Sequence, residues 1–270
     1  MTRHSLVGCL LIVAVPCVAH AQVASAAIYD DFQHRLIDPA KWSAGRYICG
    51  TGTLECVREV QNGQLRLAVR NVGFTDSDSG AWYSESVLPF RSDVSAAVTA
   101  IRSDITVREF NGVPCSANTD DTTHAQVMMG GNCVNSGDGT SADDVLGQLI
   151  ILVDTTYTPR MDVGIWWGWP GRNYEGYWTH IAYFRLGTPL VAALVWDKAN
   201  HQFVGTVKVK GAPGPDAQAT ASYGAIGVLD LSPAADPTKN LYATTAAMNC
   251  TSNLSVSHVD ALFDNVLIRR

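Results

Sequence analysis

The residues best suited to chemistry lie in one aromatic stretch, Gly164 to Trp178, which reads GIWWGWPGRNYEGYW. It holds six aromatic residues in fifteen positions, whereas the whole chain is 9% aromatic. A period-two pattern places Asp162 and Trp166 on one strand face between glycines, and Met161, Val163, Ile165 and Trp167 on the other. An indole face stacks on sugar C–H groups and a carboxylate accepts hydrogen bonds from hydroxyls.

The stretch therefore predicts a carbohydrate-binding surface made of Asp162 and Trp166. Trp169 and Tyr174, on or after the turn at Pro170 and Gly171, form its predicted rim. The alternative is that Trp167 and Trp178 belong to the core and the other aromatic residues cover a loop, because aromatic clusters also fill β-sandwiches.

A charged row on a second predicted strand offers another binding surface. Alternation points Arg102, Asp104 and Arg108 outward, with Ile105 and Val107 inward. In the functional interpretation, Arg102 and Asp104 form the polar floor of the sheet, where an arginine grips an acidic sugar in bidentate fashion. The alternative is a solvated face held by cross-strand ion pairs.

Catalytic groups cannot be assigned from the sequence. His124, His180 and His201 each have the chemistry of a general base. None of the three is accompanied in sequence by a paired carboxylate motif, so the catalytic residues stay unknown.

Five cysteines remain once Cys9 and Cys17 are set aside with a predicted signal segment. Proximity in sequence favours the disulfides Cys49–Cys56 and Cys115–Cys133 and leaves Cys250 over. A zinc site is disfavoured, because the chain has no C-x-x-C or H-x-x-x-H spacing.

The elements that must position these groups are predicted to be strands. Period-two alternation recurs in Gln64–Arg70, Ile101–Arg108 and Gln202–Lys210, and Asn62-Gly63 predicts a hairpin turn between Val57–Val60 and Leu65–Val69. Leu146–Val153 is apolar on both faces, which indicates a central strand. Roughly a dozen strands without a composition break predict one sandwich of two antiparallel sheets.

The N-terminus has the pattern of an export signal. Arg3 and His4 precede the apolar run Leu6–Val15, and Ala19-His20-Ala21 supplies a cleavage site, so residues 1–21 are predicted to be removed. This predicts a secreted or periplasmic protein, and no later run is long enough for a membrane helix. A net charge of −6 without a basic cluster argues against nucleic acid and anionic membranes as partners.

Three further stretches resemble the concanavalin A-like lectin/glucanase superfamily. They are Tyr29–Phe32 with Ile37–Trp42 (YDDF…IDPAKW), Val195–Phe203 (VWDKANHQF) and Phe263–Ile268 (FDNVLI). The resemblance implies an all-β fold, a two-sheet antiparallel jelly-roll sandwich over residues 28–270, with the first strand pairing with the last. It also implies a structural Ca²⁺ near the junction of those strands, with Asp30 or Asp31 and Asp264 as ligands.

The signatures of the enzymatic branches of that superfamily are missing. No E-x-D-x-x-E stands on a predicted strand, and the lyase pattern survives only in Arg102–Thr106 and Gln126–Met128, without its second arginine and its histidine. The predicted function is therefore a lectin-like carbohydrate-binding protein with a polysaccharide or glycan as partner. A glycoside hydrolase or polysaccharide lyase with non-standard catalytic residues is the alternative, and a structural or adhesive surface protein is the second alternative.

Overall fold

A computed structural model describes residues 26–44, 47–118, 123–153, 160–169 and 175–270. Within these ranges the chain forms two antiparallel β-sheets, here called sheet I and sheet II. Sheet I contains, in spatial order, β13 (Ala217–Ser222), β12 (Gln202–Val209), β11 (Leu190–Asp197), β6 (Ala100–Val113), β16 (Val256–Arg269), β4 (Gln64–Val72) and β3 (Thr53–Gln61), and β1 (Ala27–Asp30) also pairs with β16.

Sheet II carries the aromatic stretch at one edge. Its spatial order is β10 (Glu175–Arg185), β9 (Arg160–Trp169), β8 (Asp144–Val153), β7 (His124–Asn135), β15 (Lys239–Met248), β5 (Ala81–Pro89) and β2 (Tyr47–Ile48), and β14 (Ser232–Pro233) also pairs with β7. In the described ranges, helix is limited to the one-turn α1 (Ser92–Ser95) and short 3-10 turns. The predicted all-β class, a two-sheet antiparallel jelly-roll sandwich, is confirmed.

The core lies between the two sheets, where alternate residues of both meet. Ile165 and Trp167 from sheet II and Leu65, Phe203 and Phe263 from sheet I are almost solvent-free members of one apolar cluster. The inward set predicted for β9 is confirmed, and so is the central position of β8 between β7 and β9. Because the sheets bury one face each, their other faces lie on opposite sides of the molecule.

Two predicted chain pairings are also present. Asn62 and Gly63 both adopt positive φ, as a two-residue hairpin turn requires, and Gln61 pairs with Gln64. At the other end of the chain order, Ala27 pairs with Ile268 and Asp30 pairs with Val266. The first described strand therefore lies against the last, as the resemblance implied.

The structure corrects one predicted disulfide. Cys49 and Cys56 are bridged, as their short spacing predicts, but Cys115 is bridged to Cys250 and not to Cys133. Cys133 carries a free thiol that is buried in β7. The prediction failed because Cys115 and Cys250, 135 residues apart in sequence, are brought together in one buried cluster with Met248.

None of the helices in the described ranges is long and apolar enough to cross a membrane.

Candidate functional site

Two indoles lie side by side on the outer face of sheet II, the face turned away from the core. Trp166 of β9 and Trp178 of β10 are directly opposite each other in the strand register. A methyl group added at Gly176 would overlap the Trp166 indole, and one added at Gly164 would overlap that of Trp178. Each indole therefore lies directly over a glycine of the neighbouring strand, and we call this pair the indole platform.

The two glycines explain why the indoles lie close to the backbone. A side chain at either position would lift the indole off the backbone, whereas glycine lets an aromatic ring approach the strand closely. Trp178 remains 38% exposed, and Trp166 is half-buried. The platform is an open apolar surface.

Polar groups follow the platform across the same outer face. Gln148 of β8 pairs in register with Trp166, and its amide nitrogen donates a 2.7 Å hydrogen bond to the hydroxyl of Tyr242 on β15. Between these strands, Gly130 of β7 pairs with Gln148 and has no side chain to block that contact. The outer face thus changes from aromatic to amide and hydroxyl within a few strands.

A histidine and a carboxylate stand on the other side of the platform. His180 Nδ1 lies 2.6 Å from Asp162 Oδ1, and the His180 ring packs against Tyr183 with centroids 4.3 Å apart. When Nδ1–H donates to Asp162, the remaining nitrogen Nε2 carries the lone pair of the neutral ring. The pair has the arrangement of an oriented general base, although nothing in the sequence places the two residues together.

The structure separates the residues that the sequence predicts as one sugar surface. Asp162 and Trp166 do lie on the same outer face, as their parity predicts. Trp169 does not: β9 continues through it, so its ring turns inward at 7% exposure and its indole nitrogen donates to Ser136 Oγ. Its prediction as a rim residue is wrong, and Tyr174 lies outside the described residues.

Arg102 and Asp104 belong to the other side of the molecule. Both are on β6 in sheet I, so they cannot line the same surface as Trp166. Asp104 Oδ2 is 2.8 Å from Lys210 Nζ and accepts a hydrogen bond from the Asn265 amide. Asp104 is thus paired across strands, as the alternative interpretation of this row expects, but at 8% exposure it is buried and not solvated.

Arg108 of the same row follows that interpretation. Its guanidinium binds both carboxylate oxygens of Asp260 on the neighbouring strand β16, at 2.8 and 2.6 Å. The lyase pattern fails for a related reason, because Arg102 is in sheet I whereas Gln126 is in sheet II.

The predicted calcium ligands have different surroundings. Asp30 is almost completely buried and accepts hydrogen bonds from the Trp42 indole at 2.6 Å and the Lys41 ammonium at 3.1 Å. A cationic neighbour and a filled hydrogen-bond shell do not fit Ca²⁺, which takes six to eight oxygen ligands. Asp264 accepts from the Asn265 backbone, and burial raises the pKa of its carboxyl, which disfavours the charged form that a cation needs.

One cluster of potential metal ligands exists among the described residues, formed by Asp78, Cys115 and Cys250. Its two sulfurs are joined in a disulfide, and a metal ligand must be a thiolate. This cluster does not fit a metal ion either.

Sequence reasoning missed Trp178, Gln148, Tyr242 and the His180–Asp162 pair. The signal for Trp178 was present in Gly164 and Gly176, which each stand two positions before a tryptophan on the same strand face and so leave room for an indole from the paired strand. Gln148 and Tyr242 come from strands 94 residues apart in sequence, and no local pattern places them together.

No protein-family model matches the chain, and no curated protein matches it. Three solved structures that resemble it are a sialidase (10% identity, TM-score 0.45), the basic winged bean lectin with Tn-antigen (8%, 0.40) and a β-1,3-1,4-glucanase (lichenase) from a mouse hindgut metagenome (13%, 0.41). They cover 90%, 91% and 89% of this chain, and 18%, 100% and 98% of their own chains, respectively.

This chain thus spans less than a fifth of the sialidase chain. The lectin and the glucanase belong to the concanavalin A-like superfamily that the sequence resembles. At these identities and TM-scores the likenesses assign no activity.

Proposed function

We propose that the protein binds carbohydrate on the outer face of sheet II. The observation that carries this proposal is the indole platform, in which Trp166 and Trp178 pair across two strands and lie over Gly176 and Gly164. An indole on an outer face can stack on the C–H groups of a sugar ring. Burying two such rings in the core would have served stability better, since apolar burial stabilises the fold.

Polar groups beside the platform supply the partners that sugar hydroxyls need. The hydroxyl of Tyr242 and the carboxylate of Asp162 offer a donor and acceptors on the same face, while the Gln148 amide, which is only 5% exposed, holds the Tyr242 hydroxyl in place by donating to its oxygen. Sites for small ligands combine an apolar surface with a few such polar groups. This combination favours a sugar over a purely apolar ligand.

The extent of the surface favours a glycan chain over a single sugar. Four strand spacings separate β10 from β15, which is roughly 19 Å at about 4.8 Å per spacing. Trp178 stands at one end of that span and Tyr242 at the other. A chain of several sugar units would contact both ends.

The His180–Asp162 pair favours a second candidate, an enzyme that acts on the bound glycan. A general base must lie within hydrogen-bond reach of the proton that it removes, and His180 is close to Trp178, two residues along the same strand. The enzyme would then be a glycoside hydrolase or polysaccharide lyase without the usual signature. A surface protein that binds no sugar is the remaining alternative.

The deciding experiment is incubation with a panel of polysaccharides, scoring both retention and product release. We expect retention that is lost in Trp166→Ala and Trp178→Ala and kept in Phe74→Ala, which removes an aromatic ring that is 64% exposed outside the platform. New reducing ends or unsaturated products that vanish in His180→Gln would establish the enzyme instead. If no polysaccharide is retained and no product is released, the alternative that stands is a surface protein that binds no sugar.

We also propose that the protein is secreted or periplasmic and acts as one jelly-roll domain over residues 28–270. Two disulfides support an oxidising compartment, because such bonds are rare in the cytosol. N-terminal sequencing of the exported protein should begin after residue 21. Detection of the intact N-terminus in the mature protein would contradict this proposal.

A further inference from the structure

A polar cavity of about 140 Å³ lies on the outer face of sheet I, on the opposite side of the molecule from the indole platform. Its side chains alternate along their strands with core residues such as Val69 and Val259. One water needs only about 10–15 Å³ of such space, and a cavity of about 150 Å³ holds a six-membered ring such as benzene. The polar residues that line it are Glu55, Arg66, Arg70, Glu109, His258 and Asp260.

Ion pairs hold one wall of this cavity in place. Arg66 Nη2 lies 3.2 Å from Glu55 Oε1 and 3.0 Å from Asp260 Oδ2. Arg108 Nη2 lies 2.6 Å from the same Asp260 oxygen, and Glu59 pairs with Arg66 at 3.3 Å. Charged hydrogen bonds that share partners in this way keep their geometry without a ligand. This wall is therefore preorganised.

Two nitrogen atoms beside that wall have no partner. Arg70 of β4 and His258 of β16 are directly opposite each other in the strand register. Arg70 Nε and His258 Nδ1 are both buried, and neither forms a hydrogen bond with a described residue. Buried polar groups in native proteins are nearly always hydrogen-bonded, and an unpaired one destabilises the fold. Two such atoms on paired residues indicate a site for an external partner.

The Glu109 carboxylate is held only loosely beside this pair. Its Oε2 lies 3.8 Å from Arg70 Nη2 and 3.5 Å from His258 Nε2, which is longer than a normal hydrogen bond. The Glu109 side chain is 61% exposed. Ion pairs of this exposed kind contribute little to stability, so the side chain can turn away at low cost. A ligand that displaces it gains access to both nitrogens.

The balance of charge in the cavity favours an uncharged ligand. Each acid that lines it is paired with a base, since Arg66 binds Glu55 and Asp260, and Arg70 lies against Glu109. Among the described residues, no lining carboxylate is left over for a cation, and no lining guanidinium is left over for an anion.

The two unpartnered nitrogens match a hydroxyl group. Burial lowers the pKa of His258, and the charge of Arg70 lowers it further, which favours the neutral ring. A neutral imidazole has one N–H, and when Nε2 carries it toward Glu109, Nδ1 is an acceptor. The Nε–H of an arginine is always a donor. A hydroxyl accepts from the arginine and donates to the histidine.

We propose that this cavity binds one ring of an uncharged sugar, with a hydroxyl between Arg70 Nε and His258 Nδ1 and with Glu109 turned away. The other hydroxyls of the ring meet the paired acids and bases of the wall, which offer both donors and acceptors. The site contains neither Trp166 nor Trp178, so it adds a second binding site and does not depend on the proposed function of the platform.

The test titrates D-glucose, D-galactose, D-mannose and D-xylose, each separately, into the ¹⁵N-labelled protein and follows the ring nitrogens of His258 by NMR. His258→Gln assigns these signals. Sodium sulfate and calcium chloride are the charged probes. Arg70→Met removes the donor, and Arg91→Met is the matched control, because Arg91 is similarly exposed (45% against 40%) and is paired with one acid, Asp93. The melting temperature of each variant reports on folding.

We expect at least one sugar to shift the His258 Nδ1 signal to saturation, whereas sulfate and calcium do not. Arg70→Met should bind that sugar about 10-fold more weakly, because it loses a hydrogen bond from a charged donor. Arg91→Met should stay within about 2-fold of the wild type. Glu109→Ala should bind at least as tightly as the wild type, because the side chain that must turn away is gone.

Three results would overturn the inference. If no sugar shifts the His258 signals, the cavity holds only water, and retention of polysaccharide that depends on Trp178 would still leave the proposed function intact. If sulfate or calcium saturates the shift, the ligand is an ion. If folded Arg70→Met binds the sugar as the wild type does, the hydroxyl is not held there; should this variant not fold, weaker binding by Glu109→Ala would contradict the inference instead.

Discussion

At the scale of single residues, the platform depends on two glycines, which leave room for the indoles because they have no side chain. Gly164 and Gly176 are the positions over which the indoles of Trp178 and Trp166 lie. The surroundings of the two glycines differ. A methyl group at Gly164 would also collide with the Thr179 backbone, whereas at Gly176 the three nearest atoms all belong to the Trp166 indole. An alanine at position 176 would therefore displace the Trp166 ring without colliding with the strand backbone.

We expect Gly176→Ala to weaken glycan binding by about 3- to 10-fold, because the Trp166 ring must tilt away from the sheet and loses its stacking geometry. The melting temperature should change little. Isothermal titration with the best polysaccharide of the panel measures the first and calorimetry the second. Gly50→Ala is the control, since a methyl group there meets no atom within 4 Å. Equal binding by Gly176→Ala and the wild type would show that the close approach of the Trp166 ring to Gly176 is unimportant.

The free thiol of Cys133 should be inert in the folded protein. Burial raises the pKa of this thiol, and the thiolate is the reactive form. Iodoacetamide should therefore label Cys133 only after denaturation, as measured by peptide mapping. Rapid labelling of the native protein would contradict the burial seen in β7.

At the scale of elements, the two disulfides close loops of very different length. Seven residues separate Cys49 from Cys56, whereas 135 separate Cys115 from Cys250. On the chain-entropy account, a longer closed loop restricts the unfolded state more. The Cys115–Cys250 bridge also holds the segment after β15 against the segment after β6.

Replacing both Cys115 and Cys250 by alanine should lower the free energy of unfolding by up to about 5 kcal/mol, against about 2 kcal/mol for the Cys49 and Cys56 pair. Urea unfolding of the two double variants and the wild type measures both values. The pair with the short loop is the control for the loss of a bridge as such. A larger loss from the Cys49 and Cys56 pair would contradict the expected order.

Local patterns predicted single strands well because a buried face imposes alternation. The inward residues of β9, the Asn62-Gly63 hairpin and the central strand β8 all follow from such patterns. Trp169 was predicted to face outward only because the strand was expected to end before it. Alternation assigns a residue to a face and not to a sheet, which is why Arg102 was placed with Trp166.

What a pattern within one strand cannot supply is the partner from a distant strand. The contact between Gln148 and Tyr242, the His180–Asp162 pair and the Cys115–Cys250 bridge all depend on how strands are ordered in the sheets. The jelly-roll class could be predicted because the family resemblance at Tyr29–Phe32 and Phe263–Ile268 implied that the first strand pairs with the last. The residues of the candidate site could be placed together only from the strand order and register of the structure.

At the scale of the whole molecule, one histidine links stability to pH. Burial lowers the pKa of His258 on β16, and the guanidinium of Arg70 lowers it further, while Glu109 opposes the shift. The folded protein thus keeps His258 neutral at pH values where the unfolded chain binds a proton. As the pH falls through the unfolded-state pKa of about 6.5, the free energy of unfolding decreases.

We expect His258→Gln to lose less stability than the wild type between pH 7.5 and pH 5.5, because glutamine has no proton to gain. Urea midpoints at the two pH values measure the loss. His34→Gln, at an exposed position, is the control and should behave as the wild type. An equal loss in all three proteins would show that other groups set the acid response.

The position of Trp166 and Trp178 on the outer face of sheet II also makes binding observable by tryptophan fluorescence. Indole emission shifts to shorter wavelength when water leaves the ring, and a sugar stacked on an open face removes that water. Because the two rings sit opposite each other on adjacent strands, one bound chain covers both at once. The difference in fluorescence between the wild type and a Trp166→Phe, Trp178→Phe protein would isolate the signal of these rings from the other five tryptophans of the chain. Glycan binding could then be followed without a label on the protein.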